Sequence, residues 1–179
     1  MSNPTLLAIS GSLRKGSYNR MLLALAVEAF GPADVLHADL NLPLYDADLE
    51  EAEGIPPAVQ TLADQIRSAD AIVISSPEYN KGMSGVLKNA TDWVSRVPGG
   101  ALGGKPVAVI AAAAGRTGGE TARFMAMSNL LQLQARIVPG PAVLIAGAME
   151  AFDASGRLQD AASAKFLKAQ MDNLRAAIG

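Results

Sequence analysis

Residues 10–19 of the chain, SGSLRKGSYN, combine small side chains, hydroxyl groups and two cations in a short segment. The segment follows an apolar run and precedes a helical pattern. Its backbone N–H groups therefore lie at the start of a helix, where they carry about +0.5 of partial charge and lack internal partners. Ser12, Ser17 and Asn19 can donate further hydrogen bonds, and Arg14 adds a planar charged fork. The pattern favours a phosphate site over an ordinary loop in which Ser17 only caps the helix.

The residues around Gly11 and Gly16 exclude several known kinds of phosphate-binding loop. Gly16 is followed by Ser17, whereas a P-loop has a lysine there, and the sequence contains no G-x-G-x-x-G pattern. A phosphatase loop of the cysteine type needs a thiol nucleophile, and the chain has no cysteine. We therefore expect one monophosphate that is held without being transferred, as on a bound cofactor.

A second unusual segment, residues 75–93, has the sequence SSPEYNKGMSGVLKNATDW. Pro77 restrains the chain at the end of a predicted strand, and Gly82 permits a turn beside a flat ligand. Tyr79 offers an aromatic ring and Asn80 an amide, while backbone N–H groups can face the carbonyls and nitrogens of a planar molecule.

Four conspicuous residues have structural interpretations beside the functional ones. Glu78 and Lys81 fit solvated loop charges as well as they fit a binding site. Trp93 is expected in the core or at a subunit contact. His37 is expected to be an exposed or hydrogen-bonded strand residue, not a catalytic one.

The composition excludes several kinds of site and partner. The chain has no cysteine and one histidine, which excludes disulfides, thiol nucleophiles and histidine or thiolate metal sites. Half of its residues are apolar, 18% are charged and the net charge is −2, so we expect an ordered chain with no nucleic-acid or membrane partner. The sequence begins without a secretory pattern, and no apolar run approaches the roughly 18 residues of a membrane span. A cytoplasmic location is expected by default.

Short β-rich runs alternate with helical patterns, which is typical of a parallel sheet covered on both faces. Predicted strands cover residues 5–10, 34–38, 71–75, 107–112 and 135–144, the last interrupted around Pro139 and Pro141. Predicted helices cover residues 17–30, 57–68, 84–96, 119–134 and 159–177, and residues 39–57 are expected to form a long surface connection. The pattern predicts a flavodoxin-like, three-layer α/β/α fold with a doubly wound five-stranded sheet in the order 2-1-3-4-5, as one domain over residues 1–179. In such a sheet, ligands bind beyond the carboxyl ends of the strands.

Residues 11–19, GSLRKGSYN, and residues 76–93, which include SPEYNKG and LKNATDW, resemble the NADPH-dependent FMN reductase family. That family includes enzymes described as quinone and chromate reductases, and the resemblance extends from about Leu6 to the last helix. It implies non-covalently bound FMN, NADPH or NADH as electron donor, and a homodimer or homotetramer with the FMN near a subunit contact.

The resemblance places the cofactor on three loops. The implied cofactor-binding residues are Gly11, Ser12, Arg14, Ser17, Tyr18, Asn19, Pro77, Glu78, Tyr79, Asn80, Gly82, Ala113, Gly115 and Arg116. The third loop, residues 111–123, departs from the family, which often has Ser-Pro where this chain has Ala113 and Ala114. The missing serine removes a potential hydrogen bond near the isoalloxazine ring.

The implied reaction passes hydride from a nicotinamide through the flavin to a quinone, free flavin, chromate or a similar small acceptor. No residue is assigned as catalytic acid or base. A flavodoxin-type single-electron carrier would share the fold and the cofactor, although a net charge of −2 argues mildly against the acidic surface that a carrier needs. A flavin-free domain would share the fold alone. A hydrolase that uses Ser12 or Ser84 would need a histidine as base, and none is suitably placed.

Overall fold

The computed structural model describes residues 3–178 of the chain. Its strands are β1 (Thr5–Ser10), β2 (Asp34–Ala38), β3 (Ala71–Ser76), β4 (Glu78–Tyr79), β5 (Gly82–Met83), β6 (Pro106–Ala112), β7 (Arg136–Ile137) and β8 (Leu144–Ile145). Its helices are α1 (Tyr18–Phe30), α2 (Ala47–Glu53), α3 (Pro57–Ser68), α4 (Gly85–Arg96), α5 (Glu120–Gln132), α6 (Ala148–Ala151) and α7 (Ala161–Ala176).

A parallel sheet in the order β2-β1-β3-β6-β7 forms the middle layer, and β8 also pairs with β6. The register aligns Ile9 with Ile74, and Ile74 with Val109, so the carboxyl ends of β1, β3 and β6 lie side by side. The loops that follow these three strands therefore meet at one edge of the sheet. This topology confirms the predicted flavodoxin-like α/β fold.

The fifth strand of the sheet is divided into β7 and β8, with Pro139 and Pro141 in the segment between them. Proline cannot donate to a strand ladder, so the division follows from the sequence, as predicted. At the resulting gap, the guanidinium Nε of Arg123 donates a hydrogen bond of 2.8 Å to the carbonyl oxygen of Val109 on β6. The Arg123 side chain thus provides a hydrogen-bond partner for the Val109 carbonyl group, which has no strand neighbour at the gap within residues 3–178.

The two faces of the sheet carry separate apolar layers. Alternate residues of β1 point to opposite faces, so Leu7 and Ile9 pack with helices α3, α4 and α5, while Leu6 and Ala8 pack with α1 and α7. Trp93 of α4 is completely buried in the first layer, as predicted for a core residue, and its Nε1 donates to the carbonyl oxygen of Pro43 at 2.8 Å.

The structure corrects the prediction for residues 39–57, which contain helix α2 instead of only a surface connection. Asp46 caps this helix by accepting a hydrogen bond of 3.0 Å from the N–H of Asp48. Helix α2 buries no residue, so its sequence has no apolar periodicity that would have indicated a helix. The hairpin β4–β5 and the short helix α6 were also absent from the prediction. None of the helices described is long and apolar enough to cross a membrane.

Candidate functional site

A cleft of about 480 Å³ opens at the carboxyl edge of the sheet, between the loops that follow β1, β3 and β6. Its volume lies within the range of about 300–1,000 Å³ that is usual for small-molecule sites. The lining residues are Arg14, Ser17, Tyr18, Asn19, Pro77, Glu78, Tyr79, Ala112, Ala113, Ala114 and Met149. Residues that are far apart in the sequence thus form one continuous site.

The first loop brings the amino end of helix α1 into the cleft. Ser17 is the N-cap of α1, and its Oγ accepts a hydrogen bond of 3.2 Å from the N–H of Asn19, which leaves the hydroxyl hydrogen able to donate. The N–H of Tyr18, the first helical residue, has no protein partner within residues 3–178. Ser17 is therefore both the cap that the sequence suggested and part of the cleft wall.

An aromatic stack supports Arg14 at the mouth of the cleft. The Cζ atom of Arg14 lies 5.7 Å from the centre of the Tyr18 ring, and that ring stacks on Phe152 at 5.9 Å with an interplanar angle of 12°. Among the described residues, no carboxylate forms an ion pair with Arg14. Its charge is available to an anionic ligand.

Gly11 and Ser12 do not line the cleft, but they support the first loop through contacts with neighbouring residues. A Cβ atom on Gly11 would lie 3.0 Å from Cδ of Pro77, so glycine allows the first and second loops to approach each other. Ser12 is buried, its Oγ accepts a hydrogen bond from the N–H of Arg14 at 3.3 Å, and its carbonyl oxygen accepts from Nε of Arg20 at 3.2 Å.

The second loop contains a two-residue hairpin that the sequence did not reveal. Asn80 and Lys81 have φ angles of 51° and 62°, which is the conformation of a type I′ turn between β4 and β5. The expectation that Gly82 permits this turn was wrong, because the left-handed residues are Asn80 and Lys81. Asn80 and Gly82 do not line the cleft.

Glu78 is not the solvated loop charge that was one of the two expectations for it. Its side chain is only 10% exposed, and its Oε2 accepts hydrogen bonds from the N–H groups of Thr121 and Ala122 at 3.0 and 3.2 Å. The N-cap residue of α5, Gly119, has no side chain that could cap the helix. Glu78 supplies this cap from another loop, while exposed Lys81 approaches its Oε1 to 3.3 Å.

The third loop contributes Ala113 to the cleft, whereas Gly115 and Arg116 are exposed and do not line it. Sequence reasoning missed Met149 of α6, which is 72% exposed and lies at the rim of the cleft. Its contribution depends on how the chain after β8 returns to the third loop, through the hydrogen bond of 3.1 Å from the N–H of Ala148 to the carbonyl oxygen of Ala113. No local pattern indicated this contact.

Comparisons with known proteins agree with this geometry. The model of the NADPH-dependent FMN reductase family matches residues 4–150. The chain belongs to the NADPH-dependent FMN reductase family.

Relatives of this FMN reductase family member cover most of its length. The chain is 43% identical over 171 residues to the NAD(P)H-dependent FMN reductase of Pseudomonas aeruginosa, covering 94% of this chain and 92% of that one. It is 43% identical over 135 residues to a quinone reductase of Escherichia coli, covering 73% and 71% of the two chains. Its structure resembles the flavoenzyme NAD(P)H:(acceptor) oxidoreductase of Paracoccus denitrificans, with a TM-score of 0.87, 33% identity, and 98% and 97% of the two chains covered.

The donors and walls of the cleft fit the cofactor for which the FMN reductase family is named. Arg14, Ser17 and Tyr18 of the first loop all line the cleft and bring a guanidinium, a hydroxyl and the N–H of the first helical residue, which suits a phosphate. The uncharged residues Pro77 and Tyr79 of the second loop, together with Ala112, Ala113 and Ala114, also line the cleft, which suits a planar ring system. Within residues 3–178, no cluster of His, Asp or Glu side chains has the arrangement of a metal site.

Proposed function

We propose that this chain is an FMN-dependent NAD(P)H oxidoreductase that passes hydride to quinones or other small acceptors, including free flavin and chromate. The observation that supports the proposal most directly is the cleft itself, in which hydrogen-bond donors of the first loop and uncharged residues of the second and third loops line one space at the carboxyl edge of the sheet. The names of the relatives, an FMN reductase and a quinone reductase, agree with it.

The loop after β1 holds the phosphate in this proposal. The Ser17 hydroxyl and the Tyr18 N–H donate to phosphate oxygens, and the field at the start of α1 favours the negative charge. Arg14 supplies a full positive charge from the mouth of the cleft, where the Tyr18 ring orients it. These groups bind the cofactor and take no part in hydride transfer.

The second and third loops hold the ring system. Bound FMN supplies the hydride chemistry, and the protein supplies orientation and surroundings. Among the described residues lining the cleft, the only carboxylate is Glu78, and it is engaged by the N–H groups of α5. In this proposal the side chains of the cleft orient the reactants, and we assign none of them as an acid or base.

The rim of the cleft fits planar, weakly polar acceptors. Tyr79 and Met149 are both exposed there, at 58% and 72%, and they offer an aromatic face and a polarisable thioether. Contacts of this kind favour flat molecules without demanding one hydrogen-bonding pattern. This supports a broad range of acceptors for the enzyme.

We also propose that residues 1–179 act as a single FMN-binding domain in a cytoplasmic homodimer or homotetramer. The two apolar layers share one sheet, which supports a single domain. Exposed Phe124 and Met125 of α5 support a subunit contact near the second loop, since Sδ of Met125 would lie 3.6 Å from a Cβ on Gly82 of the hairpin. Sedimentation equilibrium of the purified protein measures the number of subunits.

Absorption spectra of purified protein with added FMN test the function. We expect a bound flavin spectrum, bleaching of the flavin bands after anaerobic addition of NADPH or NADH, and recovery after addition of a quinone. Flavin binding without steady NAD(P)H oxidation in the presence of quinone would instead indicate a single-electron carrier. Protein that takes up no FMN would contradict the proposal.

A further inference from the structure

Asn19 lines the cleft, but its side-chain amide is directed into the protein. Its side chain is buried, with the whole residue only 3% exposed. Oδ1 accepts hydrogen bonds from Oγ of Ser75 at 2.9 Å and from the N–H of Ala112 at 3.0 Å, and Nδ2 donates to the carbonyl oxygen of Ala112 at 2.8 Å. Both lone pairs of the amide oxygen and one of the two amide hydrogens are therefore used within the protein.

These partners lie at the ends of two strands. Ser75 is the residue before the last one of β3, and Ala112 is the last residue of β6. The ladder between the two strands ends with the pair Ser76 and Ala111, so Ala112 lies just beyond the paired residues. The amide of Asn19 pairs with both backbone groups of Ala112 at this point.

We infer that Asn19 is a positioning residue that fixes the spacing of the three loops of the cleft, and that it is not a phosphate ligand. Ser17 and Tyr18, the proposed phosphate-binding residues, directly precede it in the chain. Pro77 follows the end of β3, and Ala113 follows Ala112, so one buried amide sets the distance between the phosphate end and the ring wall. This inference rests on the proposed function, because it concerns the same cleft.

The two possible roles of Asn19 predict different ligand dependence. A phosphate ligand contributes to the binding of FMN and contributes nothing to riboflavin, which has the same ring and no phosphate. A residue that sets the spacing of the loops contributes to both. Loss of the Asn19 amide leaves the buried polar groups of Ser75 and Ala112 without their partner, a cost that corresponds to a factor of about ten to a hundred in an equilibrium constant. We therefore expect Asn19→Ala to raise the dissociation constants of FMN and riboflavin by a similar factor, of about tenfold to a hundredfold.

Ser75→Ala provides a second test that does not touch the cleft lining. Ser75 is completely buried, so it cannot contact a ligand, and its loss removes one of the three hydrogen bonds of Asn19. We expect a smaller weakening in the same direction, again equal for FMN and riboflavin. In the double variant, the effects should be less than additive, since both substitutions break the same bond.

Gln170→Ala is the matched control for general loss of stability. Gln170 is another buried amide, 2% exposed, that donates to a backbone carbonyl, that of Val138, but it lies on α7 away from the cleft. Its substitution should lower the unfolding temperature without changing either dissociation constant. Arg14→Ala should differ from Asn19→Ala in the other direction, because it should weaken the binding of FMN and leave the binding of riboflavin unchanged.

The measurement is a fluorescence titration of each folded protein with FMN and with riboflavin, below its unfolding temperature. Equal weakening of both ligands in Asn19→Ala and Ser75→Ala supports the inference. Weakening of FMN alone in Asn19→Ala would show that Asn19 contacts the phosphate, and unchanged affinities in both variants would show that its role is limited to folding. Either result would overturn the inference. Failure of the unsubstituted protein to bind FMN would refute the proposed function instead.

Discussion

Glu78 of the second loop accepts a hydrogen bond of 3.0 Å from the backbone N–H of Thr121 at the start of α5. The two residues are 43 positions apart, and their contact joins the hairpin β4–β5 to the helix that follows the third loop. Because this helix lacks a cap of its own, the contact contributes to the stability of α5 as well as to the shape of the cleft.

Removal of this cap should destabilise the protein. We expect Glu78→Ala to lower the free energy of unfolding by about 1 kcal/mol, the usual effect of losing a helix cap, and to weaken flavin binding. Glu78→Gln keeps an oxygen that can accept the hydrogen bonds, so it should lose less stability. Urea unfolding of the FMN-free variants measures the loss of stability, and titration with FMN measures the loss of affinity. Equal stability of Glu78→Ala and the unsubstituted protein would contradict the assignment of Glu78 as the cap.

Arg14 should contribute to affinity and not to folding. We expect Arg14→Ala to weaken FMN binding about tenfold, the size expected for a charge-assisted hydrogen bond. Its stability should change little, because exposed charges contribute little to folding. The matched control is Lys15→Ala, which removes the neighbouring exposed cation that does not line the cleft. If the two substitutions weakened FMN binding equally in a fluorescence titration, general attraction of the anion would explain the effect.

Gly11 should be required for close approach of the first two loops. In Gly11→Ala, the new Cβ would lie 3.0 Å from Cδ of Pro77 and 3.2 Å from Oγ of Ser84, so the loops must move apart. We expect weaker binding of both FMN and riboflavin. Gly16→Ala is the matched control, since nothing lies within 4 Å of a Cβ at that position. Titration of the two variants should therefore give a loss of affinity in the first and almost none in the second.

The contact between Glu50 and Arg96 should make stability depend on pH. A hydrogen bond from Arg96 lowers the pKa of the Glu50 carboxyl below its usual value. A carboxyl with a lowered pKa in the folded state stabilises the protein above its pKa in the unfolded chain, which is about 4.3. This contribution is lost as the pH falls through the folded-state pKa.

Arg96→Met tests this dependence, with Lys165→Met as a control for removal of an exposed cation. The stability lost in Arg96→Met should be largest near neutral pH and should shrink as the solution is acidified to about pH 3. Urea unfolding at a series of pH values measures the difference. A difference that stays constant over this range would show that the carboxyl does not depend on Arg96.

Most of the sheet and its covering helices could be predicted from the sequence, because their signals are local. The continuous apolar runs of β1, β3 and β6 mark buried strands, and Ser17 and Ser84 mark the starts of α1 and α4. Helix α2 and the hairpin β4–β5 lack such signals. The position of α2 depends on contacts such as the hydrogen bond of 3.0 Å from Tyr45 to Glu50 and the ion pair of Glu50 with distant Arg96.

The candidate site was predictable as a set of loops, but not in the division of roles within them. Arg14 and Ser17 were indicated by their place between an apolar strand and a helix. The orientation of the Asn19 side chain depends on Ala112, which is 93 positions away. The Glu78 carboxylate is not a solvated charge but caps α5 through the N–H of Thr121, 43 positions away. These roles come from the packing of one loop against another, which no local pattern records.

The divided fifth strand leaves that side of the sheet without a continuous edge. Strands β7 and β8 contain two residues each, and the segment between them includes Pro139 and Pro141. A strand from another molecule would find only short stretches of free N–H and C=O groups with which to pair, and the carbonyl oxygen of Val109 within the gap is already bonded to Arg123. The same break that interrupts the regular fold therefore makes this side of the sheet a poor template for edge-to-edge pairing.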